Sequence, residues 1–216
     1  MDRDTLVTRI GNRFNFRTDL DSKIQDELLN AQIELEEEIY SDPPWFLLSE
    51  VAQINGVAGE ERIPLPSDFL LEYEEGTLYR FDASLSPATA DPWIELKKGY
   101  VDSLKMEYVG QGTPLRYALS GEYFRVFPNP DAVYTFKMQY YQRDAPLSSN
   151  IENQWTKFAP WVIGGLAGSN LSMSLRDNEA AQYFSGKFAA AFLGLEKKMR
   201  AREESNNDAS MDDMDP

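Results

Sequence analysis

The chain has 216 residues, 42% of them hydrophobic, and a formal net charge of −15. That length builds one good core with room for a small appended subdomain, and the charge speaks against gripping the face of a nucleic-acid duplex, which needs clustered Lys and Arg. Cysteine and histidine are both absent, which removes disulfides, thiolate metal sites, the ordinary catalytic triads and the commonest general base and transition-metal ligand.

In chain order, Leu6, Ile10 and Phe14 recur at i, i+4, i+8 and predict a short amphipathic helix over 3–14. Asn15-Phe16-Arg17 interrupts it. Thr18 is a candidate N-cap, with Asp19 and Asp21 placed where the helix dipole favours acids. A long helix follows to about Tyr40, with Ile24, Leu28, Ala31, Leu35 and Ile39 on one stripe, widened by Leu29, Ile33 and Tyr40. Its other face is acidic: Asp26, Glu27, Glu34, Glu36, Glu37 and Glu38. Such a face ordinarily serves solvation; the alternatives are a wet channel or a basic neighbour. Ser41-Asp42-Pro43-Pro44 stops the helix.

From Trp45 the pattern turns to strands. Residues 46–54 read as a strand, Asn55-Gly56 as a hairpin turn, and the chain returns toward Ile63-Pro64-Leu65-Pro66. Phe69 to Tyr73 is a short strand or helical turn, and 77–81 an alternating strand. The stretch 82–92 is a loop, Trp93 to Leu96 is extended, and Tyr100, Val101, Leu104 and Tyr108 have helical spacing. Residues 115–119, 122–127 and 133–142 alternate with period two and predict a three-stranded antiparallel meander, divided at Ser120-Gly121 and Pro128-Asn129-Pro130-Asp131.

After the connector 144–150 the chain is helical again over 152–175, with Trp155, Phe158, Val162 and Leu166 on one stripe and Pro160 in a first turn or at a kink. Gly164, Gly165, Gly168 and Ser169 are costly inside a helix and imply close approach of another backbone, either this chain's long helix or a neighbouring subunit. Asp177 is a plausible N-cap for a last helix to about Arg202, with Phe184, Phe188, Ala191, Leu195 and Met199 on one face. Lys197, Lys198, Arg200 and Arg202 suit its negative C-terminus, or else meet phosphate. The tail 203–216 carries six acids and no base, a composition that stays disordered in isolation. The chain start lacks a basic, then apolar, leader, and no apolar run reaches the roughly 18–20 residues of a membrane span.

No G-x-x-x-x-G-K-[ST], G-x-G-x-x-G, H-E-x-x-H or G-x-S-x-G occurs. Glu36 to Glu38 point to different sides of a helix and suit no two-carboxylate hydrolase. Glu72/Glu74/Glu75 is the other cluster of the body, and Asp212-Asp213-x-Asp215 lacks the Gly and closing Glu of an EF-hand. No catalytic residue, metal site or cofactor is expected. Trp45, Trp93, Tyr140 and Tyr141 read as core or subunit-contact residues. The residues alone thus support an α+β structural or interaction domain.

The order of segments goes further. An N-terminal helical pair ends in Pro43-Pro44-Trp45-Phe46, followed by Ile63-Pro64-Leu65-Pro66-Ser67-Asp68. Then come Gly112-Thr113-Pro114-Leu115-Arg116-Tyr117, Pro128-Asn129-Pro130-Asp131-Ala132-Val133-Tyr134 and Tyr140. Ala159-Pro160, Ala167 and Asp177 close the series. This order and spacing, over most of 1–202, resembles the head–tail adaptor proteins of tailed bacteriophages, also called connector, head-completion or tail tubular protein A-like proteins. The resemblance implies a helical bundle (the long N-terminal helix plus two C-terminal helices) with an inserted antiparallel β region, divided as 1–44, 45–145 and 146–202, with 203–216 as an acidic tail. It implies a virion protein of the neck, assembled in the host cytoplasm. Such a protein forms a homo-oligomeric ring, usually a dodecamer, between portal and tail or nozzle, with DNA passing through unbound and no membrane partner.

On that footing, the subunit or portal contact candidates are Trp45, Tyr117, Tyr134, Tyr140, Gly164, Gly165, Gly168, Phe184, Phe188, Lys197, Lys198, Arg200 and Arg202. Glu34, Glu36 and Glu37 are the channel-facing candidates, since an acidic lumen lets DNA slide. The competing readings are an acidic interaction module or DNA mimic without ring assembly, and a carboxylate-based hydrolase.

Overall fold

The structure, a computed structural model, describes residues 1–38, 43–73, 76–85, 91–149 and 151–212, with side chains described except at 52, 53 and 203–212. The expected helix end at 39–42, Glu74 and Glu75, the middle of the 82–92 loop, Asn150 and residues 213–216 fall outside the described residues. The protein is α+β and divides into two compact units, one of Met1–Leu47 with Asp144–Pro216, the other Leu48–Arg143.

The first unit is helical. Helix α1 (Arg3–Gly11) starts where the Asp2 carboxylate accepts from the Thr5 amide at 2.8 Å, and a 3₁₀ turn over Asn12–Phe14 ends it. Leu6, Ile10 and Phe14 are buried, as their spacing predicts. Asn15 and Phe16 at φ 57° make the break. Thr18 opens a 3₁₀ turn (Thr18–Leu20) instead of capping the next helix, α2 (Asp21–Glu38), which buries Ile24, Leu28, Ala31 and Leu35. The expected single helix over 152–175 is two, α4 (Gln154–Phe158) and α5 (Pro160–Ser174), while α3 (Val101–Glu107) belongs to the other unit. Ala159 sits at φ −140°, ψ 49° between them, because the ring of Pro160 excludes the residue before it from helical geometry; Pro160 then occupies the first turn of α5.

Helix α6 (Asn178–Asp212) is capped by Asp177, whose carboxylate accepts from the Ala180 amide at 2.9 Å. It does not stop near Arg202: the helical backbone runs on to Asp212 into the stretch expected as tail, and residues 203–212 include no Pro or Gly to break it. Helix α5 packs against both α6 and α2, and α1 against α2 and α5.

The second unit holds two sheets. In one, β11 (Thr135–Gln142) pairs with β1 (Leu48–Asn55) on one edge and with β4 (Leu78–Phe81) and β3 (Phe69–Glu72) on the other, all antiparallel, and β5 (Trp93–Glu95) pairs with β4. In the other the order is β2 (Arg62–Pro64), β9 (Tyr123–Phe127), β8 (Arg116–Ser120), β6 (Lys97–Lys98). A short parallel pair joins β7 (Gln111–Gly112) to β10 (Asn129–Pro130).

Two sequence expectations change here. The Asn55-Gly56 turn does not close a hairpin: β1 pairs with β11 and β2 with β9. The meander ends after its first hairpin, for β8 and β9 pair but β11 belongs to the other sheet. Pro128 and Pro130 have no amide to give a ladder, so the chain leaves the second sheet at Phe127.

The alternation of β11 survives this change of partner. Phe136, Met138 and Tyr140 point inward and join Leu78, Ile63, Tyr117, Phe124 and Val126 in one buried cluster drawn from both sheets. Helix α3 (Val101–Glu107) covers a smaller cluster through Leu104, Ala118 and Phe127.

Candidate interaction surfaces

The side chains that carry the family-like spacing prove to be internal fasteners. Tyr134 donates to the Asp131 carboxylate at 2.7 Å and its hydroxyl lies 3.0 Å from that of Thr113. The Asp131 amide donates to the Gly112 carbonyl. A Cβ on Gly112 would lie 3.1 Å from the ring of Pro128. Thus the G-T-P and P-N-P-D segments, which begin at Gly112 and Pro128, hold each other across the β7·β10 pair. Tyr140 donates to Asp68 at 3.0 Å, and the Asp68 carbonyl accepts from the Arg143 amide at 2.6 Å, so the L-P-x-D segment is tied to β11. Burial and the Asp68 carboxylate push the Tyr140 phenol up to about 12; burial does the same to Tyr117. Tyr117 and Tyr140 are almost wholly buried, and both serve the core of their own protomer instead of an outer face.

The glycines of α5 also look inward. A Cβ on Gly165 would meet the Phe188 amide nitrogen and Cα at 2.7 and 2.8 Å, one on Gly168 the Phe184 ring at 2.5 Å, and one on Gly164 a methyl of Leu6 at 3.1 Å. The close backbone approach, expected to the long helix α2 or a neighbouring subunit, is instead to α6, with α1 beside it. Phe184 fills the resulting space, stacking on Phe14 with centroids 5.9 Å apart. Phe188 is half-buried, 5.6 Å from Phe192. Trp45 is partly open, in edge contact with Phe46 and Phe158, and Arg202 lies over its ring at 5.4 Å. Two of the contact candidates thus meet within one chain. Lys197, Lys198 and Arg200 are exposed on α6.

The acids of α2 separate. Glu36 is not on the open face: it is 3% exposed. Its Oε1 accepts from Gln32 Nε2 at 3.0 Å, the Asp144 amide at 3.1 Å and Trp155 Nε1 at 3.2 Å. Asp144, also buried, accepts from the Ala145 amide at 2.8 Å and the Trp155 amide at 2.9 Å. Asn153 bridges Gln32 and the Ala145 carbonyl, and forms a capping box with Thr156. Burial, aided by the nearby Asp144 carboxylate, raises the Glu36 carboxyl above its ordinary value, and burial raises Asp144. Glu34 is half-buried and accepts from Asn170 at 3.3 Å; Glu37 is open.

Grouping the α2 acids by their charge overlooked this network. The signal was present, since Leu28, Gln32 and Glu36 recur every four residues beside the apolar stripe. Its partners, Asp144, Asn153 and Trp155, lie more than 100 positions downstream and no local pattern announces them.

Among the described residues no group of three acids is arranged to hold a metal ion, and no helix is long and apolar enough to cross a membrane. Two clefts lie in the β unit, one lined by Pro64-Leu65-Pro66, Ser67, Glu122 and Tyr123 and one by Glu61, Lys105, Tyr108 and Gln111. These arrangements fasten and present surfaces.

Residues 1–211 match the sequence pattern of the family described as SU10 adaptor protein. None of the curated proteins matches the chain. The match spans nearly the whole molecule, and the chain belongs to the SU10 adaptor protein family, a family of phage head–tail adaptors.

Proposed function

We propose that this phage adaptor joins the portal vertex of the capsid to the tail as a homo-oligomeric ring, a dodecamer, through which DNA passes without specific binding. The observation that carries the reading is the family match over residues 1–211. The chemistry agrees: the chain offers its surroundings charged and apolar faces, and a net charge of −15 disfavours retention of DNA phosphates by a wall built of many copies. The acids expected to face the channel do not carry that repulsion as a group. Glu36 is enclosed and Glu34 is held by Asn170, which leaves Glu37. The reading therefore rests on bulk charge, with portal and tail or nozzle protein as partners and the virion neck as its place.

The test is the mass of the purified protein by light scattering, alone and mixed with the portal protein of the same phage, with negative-stain imaging of large species. Rings on the portal are expected. A protein that stays monomeric and binds no portal overturns the reading in favour of an acidic interaction module.

A further inference from the structure

Helix α5 lies between α6 and α2, which make no substantial contact with each other. Its Gly165, Gly168 and Ser169 face α6, the last with Oγ 2.9 Å from Ser185 Oγ. Its Asn170, on another side of the helix, reaches Glu34 of α2. The outer faces of α2 and α6 are therefore the two flanks of this layer, and each is left open among the described residues.

The flanks differ in a complementary way. Opposite its buried stripe, α2 exposes Asp26, Leu29, Ile33 and Glu37 at i, i+3, i+7, i+11, with Leu29 and Ile33 40% and 41% exposed. Opposite its own buried stripe, α6 exposes Gly186, Ala189, Ala190, Leu193, Lys197 and Arg200, with Leu193 51% exposed and open space around Gly186. One face is a pair of branched aliphatics between two acids. The other is a shallow small-residue strip ending in one aliphatic and two bases. None of these four charges makes an ion pair among the described residues.

We infer that the occupant of each flank is a second copy of this chain, with the α2 face of one protomer seated on the α6 face of the next. The inference rests on the ring reading and names its contact. Charge decides the occupant. The only stretch of α6 rich in bases sits in a strongly acidic chain, and a partner with matched aliphatic width and opposite sign is the same chain's α2. The contact is heterologous, because the two faces differ, so each added copy presents the same free pair again until the series closes. The small residues let Leu29 and Ile33 approach the α6 backbone, and Glu37, at one end of the aliphatic pair, meets Lys197 and Arg200 at the rim, where salt screens them.

The chain has no cysteine, so cross-linking reads the contact cleanly. Ile33→Cys and Ala190→Cys, both exposed, are made singly and together, and oxidised in concentrated solution and on the portal. The double variant should give a ladder of many copies. The two singles mixed should stop at a dimer, and either single alone should give none. Glu37→Lys should cut ladder yield about tenfold in the double-cysteine chain, and adding Lys197→Glu should restore it. Dimers from a single variant alone would show a face meeting itself and overturn the inference. Rings by light scattering without a ladder would overturn it and leave the adaptor reading standing. Monomers without ladder or portal binding would sink both.

Discussion

The helical unit and the β unit hold themselves together by different means. In the β unit, aromatic and aliphatic side chains from two sheets meet in one dry cluster, and hydroxyl–carboxylate pins, Tyr134 to Asp131 and Tyr140 to Asp68, tie loops to strands. In the helical unit, α5 and α6 approach until glycine is the only residue that fits. A polar network of Gln32, Glu36, Asp144, Asn153 and Trp155 fastens α2 to the segment leading into α4. The family-like spacing lies largely in the pins of the β unit, Tyr134 with Asp131 and Thr113 and Tyr140 with Asp68. On the flanks of the helical unit, Asp26, Glu37, Lys197 and Arg200 make no ion pair among the described residues. What identifies the family and what would meet a neighbour are thus separate sets of residues.

The comparison is broken most strongly by emptying each core. Phe124 in the β unit and Phe184 in the helical unit are both fully buried, and Phe→Ala at either should cost about 4 kcal/mol, read by urea unfolding. Equal costs would say only that both cores are dry. The next substitution separates them. Gly165→Ala adds one methyl against the α6 backbone at 2.7 Å, which no rotamer can relieve, and should cost about 3 kcal/mol. Gly121→Ala, in the β8–β9 turn with open space around it and a φ of 62°, meets only backbone strain and should cost about 1 kcal/mol. If Gly165→Ala is as mild as Gly121→Ala, α5 and α6 are not held at glycine distance.

The two units were also unequally legible. Leu6, Ile10 and Phe14, the α2 stripe, the Pro160 first turn and the Asp177 cap follow from 3.6-residue spacing and cap chemistry, both local. The longer strands of the second unit, β1, β4, β8, β9 and β11, were legible as strands, and β11 kept its predicted inward set. Their partners were not legible: nothing near Asn55-Gly56 says that β1 will pair with a strand about 80 positions later. Pairing is decided by the best burial available to the whole chain, and period two is the same whichever strand lies opposite. Among the candidate contact residues the same division holds. Aromatic content marked Tyr117, Tyr134 and Tyr140 as important without saying whether they face in or out. The glycines signalled a close approach, but to the long helix α2 or a neighbouring subunit, and the backbone they meet is that of α6. The α2 acids looked alike until the Trp155 indole and the Asp144 amide singled out Glu36.

Glu36 gives the next prediction in size. Glu36→Leu leaves the Trp155 indole, the Asp144 amide and the Gln32 amide without their acceptor and should cost about 3 kcal/mol. Glu36→Gln keeps an oxygen there and should be close to neutral at pH 7. The pH dependence discriminates further. The folded-state carboxyls of Glu36 and Asp144 are raised, so the folded chain holds these protons more tightly than the unfolded one. Their stabilising contribution is full below the ordinary carboxylate range and is lost as pH rises through the raised values. Glu36→Gln should flatten that part of the stability–pH curve; an unchanged slope would mean the pair does not titrate as a buried unit.

The β unit answers at the other end of the pH scale, with the smallest effect at neutrality. Tyr140→Phe removes one hydrogen bond to Asp68 and should cost about 1 kcal/mol at pH 7. With phenols near 12 in the folded state against an ordinary 10, Tyr117 and Tyr140 contribute stability that is intact below about 10 and lost between about 10 and 12. Of eleven tyrosines, these two should ionise last in an ultraviolet titration, in step with alkaline unfolding. Tyr117→Phe and Tyr140→Phe should each remove one late phenol and lessen the alkaline loss. Glu36→Gln should leave this limb untouched, because its carboxyl is already charged there. If instead all eleven ionise together below the unfolding transition, the two phenols are open to solvent and the pin between Asp68 and β11 does not hold.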